Sequence, residues 1–226
     1  MSPLTHQIPK SLIRVRGRPF LEIQLELLAS HGVREVVLCL SHQADQIIRE
    51  VRAREYAGLD ISFSLDGDEP RGTGGALCAA LDLLPSAFFV LYGDSFTPVD
   101  LRAMSAEFAT AKTRRAFPLA MMAIFRNEGR FDTGNVSRLG DDLIDYRKSP
   151  PEPRPFIDYG LSILERSVIE SIPAGVVTDL ADVYARLSRS GQLVGFEAQE
   201  RFFEIGSPAG LADFETWLKR SSPAAR

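Results

Sequence analysis

The sequence predicts an α/β fold built on a doubly wound sheet, and three observations support this. Helical and strand-like patterns alternate through the first half of the chain. The apolar runs at residues 36–40 and 87–92 lack the polar alternation of a half-exposed strand, so both faces should be covered. A glycine-rich turn, GTGGA at 72–76, leads directly into a helical pattern. In such folds ligands gather beyond the carboxyl ends of the strands, and Asp94 follows one of those ends.

Each element of the first half follows from its local pattern. Residues 19–30 have helical apolar spacing, with Pro19 suited to the first turn and Gly32 to the end of the helix. The remaining patterns predict, in order, a strand at 36–40, a helix around 45–52, a strand at 61–65, a helix from 76 to 84, a strand from 87 and a helix around 101–108.

The second half changes to antiparallel pairing. The apolar run PLAMMAIF and the hydrophobic segment 156–164 predict strands, and the short runs 134–138 and 143–146 predict a hairpin turning at 140–142. Residues 149–155, SPPEPRP, predict a mobile surface loop over a site. A helix at 179–190, a strand at 201–206 and a last helix capped by Ser207 complete the chain.

Composition narrows the class of protein. A chain of 226 residues that is 45% hydrophobic fits one domain. A net charge of −4 and a pI near 5.5 argue against a nucleic-acid partner. No apolar stretch reaches the ~20 residues of a membrane span, and the N-terminus lacks the apolar middle of a signal peptide. We therefore expect a cytoplasmic protein without a membrane partner, in which Cys39 and Cys78 lie in the core.

Four segments, taken in order, resemble the nucleotide-sugar pyrophosphorylases, the sugar-1-phosphate nucleotidyltransferases that include mannose-1-phosphate and heptose-phosphate guanylyltransferases. They are PLTHQIPKSLIRVRGRPFLEIQLELL, GTGGAL, FFVLYGDS and FFEIGSPAGL. The resemblance implies a Rossmann-like, mostly parallel sheet flanked by helices, with a small antiparallel sugar-binding subdomain. It divides the single domain into a nucleotide-binding part, about 1–125, and a sugar-binding part, about 126–226. It also implies the substrates, an NTP and a sugar 1-phosphate, and the products, an NDP-sugar and pyrophosphate.

The same resemblance implies a magnesium site. Asp94 in YGD matches the metal-binding aspartate, and carboxylate oxygen is the ligand that Mg²⁺ prefers. Glu204 falls where relatives usually carry a second aspartate ligand. Asp179 is a third candidate, although an aspartate directly before a helix is more often its N-cap.

Further site residues follow from the matched motifs. Lys10 matches a lysine that contacts the NTP phosphates, and Lys148 resembles one that grips the sugar phosphate, although Arg147 replaces the glutamate before it. The turn against the nucleobase would comprise Gly72, Thr73 and Gly74, whose backbone amides should face the ligand. A plain turn leading into a helix is the alternative. The sugar-facing positions are Asn135, Asp158, Tyr159 and Gly160, where core packing competes for the tyrosine. The histidines His6, His31 and His42 have no metal-ligand spacing.

The opening unit of the family is expected to be absent. Relatives begin with an apolar strand and a G-G-x-G-T-R loop, whereas Met1 stands where a hydrophobic residue follows that loop. Without the loop, turnover should be very slow, and a strand that is usually central should be missing. Two explanations compete: a misplaced start of the chain, or a non-catalytic sugar-phosphate or partner-binding protein that another subunit could complete. A homo-oligomer is also open.

An NAD(P)-dependent oxidoreductase is the remaining alternative. That class needs G-x-G-x-x-G after its first strand and an acidic residue about 20 positions later, and the sequence has neither.

Similarity to the guanylyltransferases favours GTP as the nucleotide, whereas these motifs do not identify the sugar.

Overall fold

The computed structural model describes residues 8–56, 58–67, 71–114, 118–140, 142–173 and 175–221. Its helices are α1 (Phe20–Ser30), α2 (Ala44–Arg52), α3 (Gly72–Ala79), α4 (Leu101–Arg114), α5 (Arg166–Glu170), α6 (Leu180–Arg189) and α7 (Pro208–Ser221). Its strands are β1 (Arg14–Val15), β2 (Arg18–Pro19), β3 (Glu35–Leu40), β4 (Asp60–Leu65), β5 (Ala87–Leu91), β6 (Ser95–Phe96), β7 (Ala120–Arg126), β8 (Val136–Leu139), β9 (Leu143–Tyr146), β10 (Phe156–Glu165), β11 (Leu193–Glu197) and β12 (Phe203–Glu204).

The main sheet has six strands in the order β5-β10-β7-β11-β9-β8. Strands β7 and β11 pair in parallel, and β10 runs antiparallel between β5 and β7. The α/β class is confirmed. The sheet is mixed, because β7 and β11 are parallel whereas the other neighbouring strands described in it pair in antiparallel fashion. The predicted hairpin forms β8 and β9 at the edge of this sheet, although Asp141 of its turn lies outside the described residues.

Three smaller ladders stand beside the main sheet. Strands β3 and β4 pair in parallel, β12 pairs with β6 in antiparallel fashion, and β1 and β2 form a short antiparallel pair. Within the described ranges, β3 pairs with β4 alone and β5 with β10 alone. The residues 36–39 of β3 are only partly buried, although they are apolar. In the described residues β3 is paired on one edge, whereas the buried strand β7 is paired on both.

Two hydrophobic clusters cover opposite faces of the main sheet. Alternation along β7 places Met122 and Ile124 on the face covered by α3, α5 and α6, and Met121, Ala123 and Phe125 on the face covered by α4. Burial of one such aliphatic or aromatic side chain stabilises the fold by roughly 1.5–3 kcal/mol. The sheet is thus fixed from both sides, and polar side chains at its strand ends are held in defined positions.

A third cluster fixes the short β6–β12 ladder. The rings of Phe96 and Phe203 pack against Phe214 and Trp217 of α7, with ring centroids 4.7–5.6 Å apart. Phe20 of α1 joins the same cluster. Because β6 follows Asp94 and β12 contains Glu204, this aromatic packing determines where the two carboxylates meet.

The predicted elements are present, with three main differences in extent. The helix predicted at 76–84 ends at Ala79, and a separate 3₁₀ turn follows at Leu81–Leu83. The glycine-rich segment is the first turn of α3 itself, because the helix begins at Gly72. The predicted strand at 201–206 is reduced to Phe203–Glu204. The predicted cap of the last helix is confirmed, since the Ser207 hydroxyl accepts a hydrogen bond from the Gly210 amide at 3.0 Å.

Candidate active site

Asp94 lies in a tight turn directly after β5. The Ser95 amide donates to the Tyr92 carbonyl at 3.2 Å, which places Gly93 and Asp94 at the centre of the turn. The carbonyl of Asp94 accepts a hydrogen bond from the Ile205 amide at 3.0 Å. The backbone of the turn is therefore tied to β12, while the carboxylate extends from it with a third of its surface exposed.

Glu204 is next to this turn, as the resemblance implied. It pairs with Ser95 in the β6–β12 ladder, one residue from Asp94. Its side chain is exposed, yet its pKa is raised, first by local desolvation and then by the negative charges of Asp94 and Asp132, with Lys10 acting in the opposite direction. Desolvation and neighbouring negative charge together outweigh the effect of Lys10 on this carboxyl group.

Lys10 provides the positive charge at this end of the site. It begins a single 3₁₀ turn directly after Pro9, and its Nζ lies 3.2 Å from Asp94 Oδ2. A side chain added at Gly206 would approach both Asp94 Oδ2 and Lys10 Nζ to 3.8 Å, so the glycine leaves this space open. The structure brings together Lys10, Asp94 and Glu204, which are distant in sequence.

Gly160 lies against the Asp94 turn and shapes strand β10. Its carbonyl accepts from the Tyr92 amide at 3.3 Å, and its φ of +77° is one that residues with a Cβ rarely adopt. The pairing of β10 with β7 is irregular between Asp158 and Ser162, so Gly160 is at the centre of a bulge. A Cβ here would meet Ser95 Oγ at 3.2 Å, which explains the requirement for glycine.

Asp158 is the residue of β10 that faces the site. Its Oδ1 accepts the Gly160 amide at 2.9 Å, and its own amide donates to Asn135 Oδ1 at 2.8 Å. Desolvation raises its pKa to about 6, opposed by the Gly160 hydrogen bond and reinforced by the charge of Glu204. A carboxylate that titrates near neutrality and lies near a second carboxylate is a frequent feature of active sites.

Tyr159 points to the opposite face of the sheet. Its ring is fully buried between Phe125 and Phe202, and its hydroxyl donates to the Glu200 carbonyl at 2.8 Å. The expectation that this ring and hydroxyl face a sugar is corrected to core packing, because neighbouring strand residues alternate between faces. Ile157 and Leu161, two positions away on either side, are apolar and lie in the same cluster, so their pattern predicts that Tyr159 is on the buried face.

Lys148 forms a second lysine–aspartate pair. Its Nζ lies 2.7 Å from Asp179 Oδ2 and 3.7 Å from Asp182 Oδ1, and the Asp179 hydrogen bond raises the pKa of the lysine. Arg147 contacts Asp145 instead, at 3.5 Å. The two consecutive cations therefore have different partners, and only Lys148 faces the glycine-rich segment.

Asp179 is the N-cap of α6. Its Oδ1 accepts the Ala181 amide at 2.9 Å and the Thr73 hydroxyl at 3.2 Å. The Lys148 hydrogen bond is the largest cause that lowers its pKa, followed by the Ala181 amide. The alternative of an N-cap is confirmed, and its engaged oxygens make it a poorer candidate for a metal ligand than Asp94.

The glycine-rich segment packs against the loop before α6. The amides of Gly74 and Gly75 both donate to the Thr178 carbonyl, at 2.8 and 3.3 Å. Gly72 has a φ of +74°, and a Cβ there would lie 2.5 Å from the same carbonyl. The expectation of ligand-facing amides is thus corrected for Gly74, whose amide is already paired. The exposed residue of the turn is Thr73, whose hydroxyl contacts Asp179 and accepts the Leu180 amide.

Asn135, directly before β8, supports Asp158 through a hydrogen bond. Its side-chain oxygen is committed to the Asp158 amide, and its own amide donates to Phe156 at 2.9 Å. The side-chain nitrogen is thus the group of Asn135 with which a ligand can interact.

Two tyrosines that the sequence motifs do not single out lie between the lysine–aspartate pairs. Burial raises the pKa of Tyr92 first, and the charges of Asp158, Asp179 and Asp94 raise it further. The pKa of Tyr146 is raised by burial and then by Asp158, Asp179 and Asp182. The charges of Asp94, Asp158 and Asp179 all act on Tyr92, which places the three carboxylates around this tyrosine. We call the region between the two lysine–aspartate pairs the cleft.

The cleft has the donor set for one divalent cation at the Asp94 end. Asp94 and Glu204 supply hard oxygen ligands. Desolvation, followed by the charges of Asp94 and Asp132, raises the pKa of Glu204, an effect that a bound cation would oppose. Among the described residues no group of three or more His, Cys, Asp or Glu side chains could hold a metal ion. Water or phosphate oxygens would therefore have to complete the coordination.

A separate search for membrane-spanning segments found no candidate among the helices of the described residues.

Comparison with known proteins gives consistent results. A profile of the family described as "Nucleotidyl transferase" matches residues 1–138, more than half of the chain. D-glycero-alpha-D-manno-heptose 1-phosphate guanylyltransferase of Campylobacter jejuni is 28% identical over 168 residues, covering 74% of this chain and 72% of that relative.

A second relative and a solved structure extend the match. Mannose-1-phosphate guanylyltransferase catalytic subunit beta of Danio rerio is 28% identical over 222 residues, 92% of this chain. The match covers only 58% of that relative's length. HddC from Yersinia pseudotuberculosis, complexed with GMP-PN, superposes with a TM-score of 0.76 at 24% identity, covering 93% of this chain and 90% of that one.

Proposed function

Because the chain belongs to the nucleotidyl transferase family, we propose that it joins an NTP to a sugar 1-phosphate, producing an NDP-sugar and pyrophosphate. The observation that carries this proposal is the convergence of Lys10, Asp94 and Glu204 at the end of a sheet strand. Lys148 pairs with Asp179, whose charge, like that of Asp94, acts on Tyr92. Two cationic groups at opposite ends fit two anionic substrates.

The proposed chemistry is displacement at phosphorus. A phosphate oxygen of the sugar 1-phosphate forms a bond to the α-phosphorus of the NTP, and the bond from that phosphorus to the bridging oxygen breaks. The electron pair leaves on pyrophosphate, so negative charge grows on the leaving group. Lys10 is the described cation placed to stabilise this charge, since it lies at the Asp94 end and has half of its surface exposed.

Asp94 and Glu204 are the proposed Mg²⁺ ligands. The ion, when bound, would neutralise phosphate charge and orient the α-phosphoryl group. Lys10 now occupies one oxygen of Asp94 with an exposed ion pair, an interaction worth only ~0–1 kcal/mol. The lysine can therefore exchange its carboxylate for a phosphate oxygen at little cost when substrates arrive.

Lys148 is the proposed ligand of the sugar phosphate. Its Nζ has two carboxylate neighbours, which hold the ammonium at the edge of the cleft and keep it charged. The sugar would lie between this phosphate and the metal end, over Asp158, Gly160 and the Asn135 amide. A carboxylate beside an amide nitrogen offers an acceptor and a donor, the combination that sugar hydroxyls need.

GTP is the proposed nucleotide, since the Campylobacter and Danio relatives are named as guanylyltransferases. The nucleobase would lie against Gly72, Thr73 and Gly74, with Thr73 as the exposed polar group of the three. We propose the cytoplasm as the location, where NTPs and sugar phosphates are both available.

A pyrophosphate-release assay tests the proposal. The protein is incubated with Mg²⁺ and each combination of four NTPs and a panel of sugar 1-phosphates that includes mannose and heptose derivatives. We expect release that requires both substrates and Mg²⁺ and is fastest with GTP. Saturable binding of a sugar phosphate without release in any combination would instead identify a non-catalytic binding protein.

A further inference from the structure

Gln24 of α1 is buried directly behind the Asp94 turn. Its side chain is 3% exposed, which is unusual for a glutamine unless its polar atoms are satisfied. Its Nε2 donates to the Tyr92 carbonyl at 3.0 Å and to the Ser95 carbonyl at 2.7 Å. These carbonyls belong to the first and last residues of the turn that contains Gly93 and Asp94.

The two hydrogen bonds use both protons of the amide, so one side chain holds both ends of the turn. The Tyr92 carbonyl also accepts the Ser95 amide at 3.2 Å, and Gln24 therefore reinforces the bond that closes the turn. The helix that carries Gln24 is fixed by Phe20, Leu21 and Leu25, all of them buried. A rigid helix thus determines the position of a short loop whose central side chain carries the proposed chemistry.

We propose that Gln24 is a positioning residue that sets the orientation of the Asp94 carboxylate toward Glu204 and thereby the affinity of the site for a divalent cation. This rests on the proposed function, because it assigns a purpose to the pair Asp94 and Glu204. Gln24 does not face the cleft and contacts no substrate. Its effect passes through the backbone of residues 92–95 alone.

Replacement of the amide by a group of similar length removes the two donors and leaves the core filled. Gln24→Met is the informative variant, since methionine matches the length of glutamine and adapts to irregular cavities. Two buried carbonyls then lose a donor, which also lowers stability. Leu21→Ala is the matched control, because it lies on the same helix, is 6% exposed and packs away from the turn with Leu25 and Leu40.

Two measurements on the full chain test the proposal. Hydrogen exchange reports the Ser95 and Ile205 amides, which donate within the turn and to Asp94. We expect Gln24→Met to accelerate their exchange at least about tenfold relative to core amides of β7, and Leu21→Ala to leave that ratio unchanged. Exchange at the same ratio in Gln24→Met as in the native protein would overturn the proposal, whether or not metal binds.

Mn²⁺ titration followed by electron paramagnetic resonance is the second measurement. We expect Gln24→Met to raise the dissociation constant of Mn²⁺ about tenfold, a difference of about 1.4 kcal/mol, while Leu21→Ala keeps the native value. Equal affinity in Gln24→Met and the native protein refutes the positioning role alone. A native protein that binds no Mn²⁺, or binds it no better than Asp94→Asn, refutes the proposed metal site and the positioning role together.

Discussion

The cleft has two lysine–aspartate pairs of the same composition, but the two aspartates have different hydrogen-bond partners. Lys10 and Asp94 are 3.2 Å apart, and the Asp94 carboxylate has no other hydrogen-bond partner among the described residues. Lys148 and Asp179 are 2.7 Å apart, but Asp179 also caps α6 and accepts the Thr73 hydroxyl. One aspartate is thus available for a ligand, while the other maintains the fold.

Glu204 makes the difference larger. It places a second carboxylate beside Asp94, and its pKa is raised, first by desolvation and then by the charges of Asp94 and Asp132, which together outweigh the opposing effect of Lys10. The pKa of Asp179 is lowered, because Lys148 and the Ala181 amide donate hydrogen bonds to its carboxylate and Lys148 adds positive charge. A carboxylate with unmet charge is a candidate cation ligand, and a carboxylate with full hydrogen bonding is a structural one.

The largest expected effect is the loss of activity in Asp94→Asn. The amide keeps the shape and removes the charge, so Mg²⁺-dependent pyrophosphate release should fall by about 10²- to 10³-fold, the scale associated with loss of one electrostatic stabiliser. Thermal stability should change little, because the exposed Lys10 pair contributes little. Asp142→Asn, which removes a partly buried carboxylate paired with Arg114, is the control. An Asp94→Asn protein with native turnover removes Asp94 from the mechanism.

The two lysines should separate the two substrates. Lys148→Met is expected to raise KM for the sugar 1-phosphate by about 10- to 100-fold, the equivalent of one charge-assisted hydrogen bond. Lys10→Met should act on the NTP and on kcat instead. Steady-state kinetics with each substrate varied in turn measures this. Equal effects of both variants on both substrates would show that the two ends of the cleft do not have separate roles.

Asp179→Ala should reduce stability more than it changes the chemistry. Loss of the N-cap of α6 costs about 1 kcal/mol, which lowers Tm by about 2–4 °C in a domain of this size. Thermal unfolding followed by circular dichroism measures it. Asp182→Ala, on the same helix and 67% exposed, is the control and should shift Tm by less than half as much. A native Tm for Asp179→Ala contradicts its structural role.

The last expected effect depends on pH and concerns Asp158, between the two pairs. Its pKa is raised from 3.8 to about 6, so the folded state binds this proton more tightly than the unfolded state does. The stabilising contribution is complete below about pH 4 and is lost as pH rises through about 6. Asp158→Asn should therefore be more stable than the native protein at pH 8, by about 1–2 kcal/mol after allowance for partial exposure. The difference should vanish near pH 4. Urea unfolding at both pH values measures it, and a difference independent of pH contradicts the assignment.

Much of the fold could be predicted from local patterns, because apolar periodicity and end signals are local properties. The hairpin β8–β9, the long strand β10 and the Ser207 cap all follow from a few neighbouring residues. Lys10 and Asp94 were each assigned to the site from matched motifs, and their 3.2 Å ion pair is seen only in the structure.

Other features depend on contacts between distant segments. The Gly74 amide is paired with Thr178, and Thr73 meets Asp179 from 106 residues away. From the sequence, Gln24 is an ordinary polar position on an amphipathic helix. Its role becomes visible only in the structure, where it donates to the turn that contains Asp94. The alternation of Ile157, Tyr159 and Leu161 predicts that Tyr159 lies on the buried face of β10 and Asp158 on the other face. The bulge at Gly160 could not be predicted in this way.

Mn²⁺ affinity compared between Asp94→Asn and Asp179→Asn tests the difference between the two pairs most directly. Asparagine preserves the N-cap at position 179, so both variants remove one negative charge from the cleft with the fold intact. We predict that Asp94→Asn abolishes Mn²⁺ binding and Asp179→Asn retains it within about twofold. Equal loss in both variants, or loss in Asp179→Asn alone, would contradict the assignment of the metal to Asp94 and Glu204.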